Sequence, residues 1–145
     1  MEAHARVNAK ATAELTVTTY PKTLLDTAEG LLTQGQFGIA TVVAHIACEV
    51  ATERTLTEAF KSKGIEYLED SVLECLNGYS LANDRNLRLY VALTQDEIQM
   101  QPFWKEYKSS AARRNAVIHQ GKLCTQDQAK LSIAAAKAVV RHLQK

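Results

Sequence analysis

Apolar positions recur through most of this chain at the spacing of helices, not of strands. From about 21 to 34, Leu24, Leu25, Ala28, Leu31 and Leu32 share one face of a helix opened by Pro21 and ended by Gly35. A longer helix is expected over 36–63, with a stripe of Ile39, Val42, Val43, Ile46, Ala47, Val50 and Ala51, continued by Leu56 and Phe60. Gly64-Ile65 then reads as a C-cap with its hydrophobic contact. A third helix is expected over 65–77, stopped by Asn77-Gly78, and a short one over 84–93. Thr94-x-x-Glu97 has the form of a capping box that opens another turn, limited by Pro102. The fifth segment runs from 102 to 119 and ends at Gly121, with Phe103, Trp104, Tyr107, Ala111, Val117 and Ile118 for packing. Thr125-x-x-Gln128 is a second capping box; it opens a last helix to Lys145 with Leu131, Ala134, Ala135, Ala138, Val139 and Leu143 inward.

Residues 1–20 break this pattern. Glu14-Leu15-Thr16-Val17-Thr18-Thr19-Tyr20 alternates as a short strand does, behind an Ala-rich lead. The expected architecture is therefore all-α, an antiparallel bundle of four to five main helices over 21–145, with a tail or short extended segment over 1–20.

Composition narrows the class. At 145 residues, 46% hydrophobic and 23% charged, the chain has the make-up of one soluble domain with a proper core. No apolar run reaches membrane-spanning length, and the start lacks a basic-then-apolar signal pattern. Cys48, Cys75 and Cys124 are odd in number and far apart, forming neither a metal pair nor a disulfide framework. They read as small buried hydrophobes, and a cytoplasmic protein without cofactor or metal is expected.

Charge adds an asymmetry that the net value of +1 conceals. Residues 1–100 carry 8 Lys and Arg against 14 Asp and Glu, whereas 101–145 carry 9 against 2. The basic excess is centred on one segment, Arg113-Arg114-Asn115-Ala116-Val117-Ile118-His119-Gln120-Gly121. Arginine presents a planar, permanently charged fork to phosphate, and histidine changes charge near neutral pH. Together they point to phosphodiester chemistry without a metal. Arg114 and His119 are five positions apart, which in a regular helix means ~7.5 Å of rise and about 140° of rotation. They do not share one helical face, so a second copy of the chain is one way to complete the site.

This segment, followed by a capped Ala-rich helix, resembles the HEPN family. Its signature is an arginine, commonly followed by a polar residue, then a histidine four to six positions on. The stretch Ala44-His45-Ile46-Ala47-Cys48-Glu49-Val50 is similar to the family's second helix, where a glutamate commonly interrupts the apolar stripe. The resemblance covers roughly 21–145. It implies a metal-independent endoribonuclease of the toxin, defence or stress-response kind, cutting RNA at a homodimer interface to leave a 2′,3′-cyclic phosphate. In that reading Arg114 polarises the scissile phosphate and Asn115 orients it. His119 deprotonates the 2′-OH or protonates the 5′ leaving oxygen. Arg113 gives an alternative spacing, but Arg114 is preferred because Asn115 directly follows it. Arg113, Lys108 and Lys122 would support RNA binding, and an antitoxin or nucleotidyltransferase is the implied protein partner.

Weaker candidates lie elsewhere. His45 and Glu49 form an i,i+4 pair that could support the motif, and Glu53 extends their face. Tyr90, Trp104 and Tyr107 are of the right type to stack bases, but at helical spacing they read first as core. The competing functional class is a non-catalytic HEPN-like module that dimerises or binds a nucleotide or nucleic acid through the same basic face.

Overall fold

The computed structural model describes residues 20–145; the Glu14–Thr19 part of the expected strand lies outside them. Six α-helices and two 3-10 turns make up the fold, with no strand among the described residues. Helix α1 covers 20–33, so Tyr20 opens a helix instead of closing a strand. The others are α2 (Phe37–Ser62), α3 (Glu69–Leu73), α4 (Asp84–Thr94), α5 (Trp104–Gln120) and α6 (Gln126–Leu143). None is long and apolar enough to cross a membrane.

Local chemistry sets several of the boundaries. Asn83 caps α4 by accepting from the Arg85 and Asn86 amides. The Thr125–Gln128 capping box forms with both of its reciprocal bonds. Gly121 ends α5 in the left-handed region at φ 62°, where a side chain would be strained. The Thr94-x-x-Glu97 box does not form. Thr94 belongs to the last turn of α4, where its hydroxyl donates to Tyr90 O (2.7 Å) and accepts from Asp96 N (3.2 Å). A 3-10 turn, Ile98–Met100, follows instead.

The third segment also differs from expectation. Rather than one helix over 65–77, a 3-10 turn at Glu66–Leu68 leads into the single α turn of α3. Glu66, Asp70 and Glu74 recur at i,i+4, so a longer helix would stack like charges along one edge.

Packing centres on α2 and α6. The hydrogen bonds Cys48 Sγ to Ala136 O (3.9 Å) and Thr55 Oγ1 to Leu143 O (3.3 Å) join residues with the same sequence offset, 88 positions in each case, so α2 and α6 run parallel. The short connections 34–36 and 121–125 turn α1 against α2 and α5 against α6. Ala40, Ala44, Ala47 and Ala51 of α2 and Ala129, Ser132 and Ala136 of α6 are all buried, and such small side chains permit close approach.

The inward faces of both helices match the expected stripes in part: Ala47, Ala51, Leu56 and Phe60 of α2 and Ala135, Val139 and Leu143 of α6 are buried as expected, and the other edge of each stripe is not. Ile39 is 52% exposed and Ile46 37%, whereas their neighbours Ala40 and Ala47 are fully buried. In α6 Leu131 and Ala134 are exposed while Ser132 and Ala135 are buried. Cys48 is buried as expected, but Cys124 is only half-buried and Cys75 is exposed.

Candidate functional site

Helix α5 brings the motif to a cleft of about 690 Å³ bounded by α2 and the loop before α4. Arg114, Asn115 and His119 all line it, together with Glu49 of α2. Asn77, Gly78, Ser80, Ala82 and Asn83 form the opposite wall. The 140° rotation within α5 therefore does not separate Arg114 from His119, because the cleft is broad enough to receive both from one chain.

Arg113 and Arg114, adjacent in sequence, have different tasks. Arg113 turns to α6, where Nη1 donates to Gln128 O (3.1 Å) and Ser132 Oγ (2.5 Å), and Nη2 pairs with Glu106 (3.3 Å). It fastens α5 to α6 and does not line the cleft. Arg114 turns to α2, with Nη2 3.5 Å from Glu49 Oε1 and its side chain 21% exposed. Its Nε is buried with no hydrogen-bond partner among the described residues. Geometry thus separates two arginines that spacing alone left interchangeable.

A polar network lies behind this pair. His45, only 1% exposed, has Nε2 3.8 Å from Glu49 Oε1 and 3.0 Å from Ser80 Oγ. Its ring stacks on Tyr107 at 5.6 Å, and the Tyr107 hydroxyl accepts from Leu81 N at 3.0 Å. Burial, reinforced by the Arg114 charge, pushes the His45 pKa down to about 4, so the ring is neutral at physiological pH. Burial raises the Glu49 carboxyl above its ordinary value, and Arg114 opposes that rise. Burial likewise pushes the Tyr107 phenol up.

The remaining expected residues are dispersed. His119 stands exposed in the last turn of α5. Lys108 reaches the cleft's outer wall, where Nζ donates to Ala82 O at 3.2 Å. Lys122 lines a different groove, with Gly35–Ile39, Val117, Leu123 and Cys124. Tyr90 and Tyr107 are buried, so neither presents a face for base stacking; Trp104 is half-buried and packs on Tyr107 at 5.1 Å. Sequence reasoning missed the 77–83 wall and the buried Ser80–Tyr107 link. The Asn77-Gly78 turn and the Asn83 cap were the available signals for a built loop there.

No group of three or more His, Cys, Asp or Glu side chains is arranged to hold a metal ion among the described residues. The arrangement offers one fixed cation, two titratable groups and amide side chains around an open volume. That set can bind a phosphodiester and move protons to and from it. No protein-family model, curated protein or solved structure matches the chain.

Proposed function

We propose that the chain is an RNA-cleaving domain of HEPN type, working by attack of the ribose 2′-OH on the adjacent phosphate. One observation carries the reading: Arg114, Asn115 and His119 share a single cleft. In it Arg114 holds and neutralises the phosphate through its planar fork. Asn115 hydrogen-bonds a phosphate or ribose oxygen, and His119 exchanges a proton with the reacting oxygens. The need for a 2′-OH confines the substrate to RNA.

The resemblance also implies a homodimer. Ile118 and the 98%-exposed Leu123 flank His119, which supports a second copy covering that end of α5.

A second reading, a phosphate-binding module without chemistry, draws support from the Arg114–Glu49 pair, which already gives the arginine a partner. Cleavage of a mixed RNA substrate in EDTA separates the two. The proposed enzyme cleaves, and Arg114→Ala or His119→Ala abolishes cleavage while the helical circular dichroism is retained. Salt-sensitive binding without cleavage favours the module, and variants that cleave like the parent overturn the site.

A further inference from the structure

In-line attack at phosphorus puts the entering O2′ and the departing O5′ on opposite sides. A proton must leave the first as another reaches the second, and one imidazole cannot do both at once. Among the described residues lining the cleft, the titratable groups besides Arg114 are Glu49 on α2 and His119 on α5. They come from different helices; Arg114 shares α5 with His119 and pairs with Glu49.

Resting on the RNA-cleaving reading above, we propose that Glu49 is the catalytic base and His119 the catalytic acid, divided across Arg114. Glu49 accepts the 2′-OH proton while the O2′ electron pair forms the new bond to phosphorus. The P–O5′ bond then breaks, its electron pair goes to O5′, and the His119 imidazolium supplies the proton. The products are a 2′,3′-cyclic phosphate and a 5′-hydroxyl. Exchange with water returns Glu49 to carboxylate and His119 to imidazolium.

Three observations support Glu49 in this part. It is half-buried yet lines the open cleft, so it reaches substrate, unlike His45. Burial raises its carboxyl above the ordinary value, against the pull of Arg114, which makes it a stronger base. The titratable and charged groups beside it are His45 and Cys48 on its own helix and Arg114 on α5; His119 shares the cleft, and the loop wall contributes the uncharged Asn77, Ser80 and Asn83. Its pairing with Arg114 also couples proton transfer to charge. Once protonated, Glu49 releases its hold on the guanidinium, which is then free to meet the charge building on phosphorus.

The test compares Glu49→Gln and His119→Ala on RNA and on uridine 3′-(4-nitrophenyl phosphate), whose leaving group needs no acid. Both variants should lose on the order of 10²–10⁴-fold on RNA. The activated ester should restore His119→Ala to near the parental rate but leave Glu49→Gln impaired. Glu49→Gln should also lose the acid limb of the kcat/KM pH profile, and Glu49→Asp should recover part of the rate. Parental rates from a folded Glu49→Gln overturn the assignment, as does rescue of Glu49→Gln alone. If Glu49→Gln cleaves normally while Arg114→Ala and His119→Ala do not, only this inference fails. A parent inactive on both substrates removes the RNA-cleaving reading with it.

Discussion

Arg114 Nη2 lies 3.5 Å from Glu49 Oε1, whereas the preceding Arg113 points to α6 and bonds Gln128, Ser132 and Glu106. The two arginines should therefore fail differently when replaced. Arg113→Ala removes charge-assisted bonds at a half-buried position and should destabilise the fold by about 2 kcal/mol in urea denaturation. Below its own unfolding transition it should still cleave RNA within a few-fold of the parent. Arg114→Ala should lose cleavage altogether. Equal loss of cleavage in both variants would contradict the division of tasks.

His45 should make stability fall in acid. Its folded pKa is about 4, below the ordinary histidine value near 6.5, so the unfolded chain takes up a proton first as pH falls. The full contribution is present above about pH 6.5 and is lost as the pH drops toward 4, by roughly 3 kcal/mol. Glu49, raised by burial, works in the opposite sense and offsets part of this. Imidazole NMR resolves the two: the His45 ring should remain neutral through pH 5.5, and a ring that titrates near 6.5 would contradict the buried network.

Replacements on α2 test the phase of the core. Ala47→Leu forces three methyl-sized carbons into the α2–α6 seam and should destabilise by about 1–3 kcal/mol. Ile46→Ala, at a 37%-exposed position one residue away, should change unfolding free energy by under about 1 kcal/mol. The reverse order in chemical denaturation would make Ile46, not Ala47, the residue packed in the seam.

That phase marks where the sequence stopped being informative. Helix periodicity, the Thr125 cap and the Gly121 stop were legible because each depends on neighbours within one turn. Which edge of each stripe points inward was legible only in part. Ala47 and Ala51 of the expected α2 stripe are buried, but Ile39 and Ile46 on its other edge are exposed, because the tight seam with α6 admits the small side chains. Thr94 misled for a related reason, since its hydroxyl donates back to Tyr90 O and accepts from Asp96 N in the turn that ends α4, and opens no helix after it. The motif's gathering of Arg114, Asn115 and His119 was legible as a segment. The carboxylate opposite them, Glu49, lies 65 positions upstream of Arg114; its i,i+4 pairing with His45 marked it as a support for the motif, but its contact with Arg114 was not legible across that separation.

The most direct test of the account is cleavage, in EDTA, of an RNA oligonucleotide and of the same oligonucleotide with 2′-deoxyribose at each cut position. The proposed enzyme cuts the RNA to fragments ending in 2′,3′-cyclic phosphate, leaves the deoxy-substituted strand intact, and loses all cutting in His119→Ala. Cleavage of both strands, or undiminished cutting by His119→Ala, would contradict it.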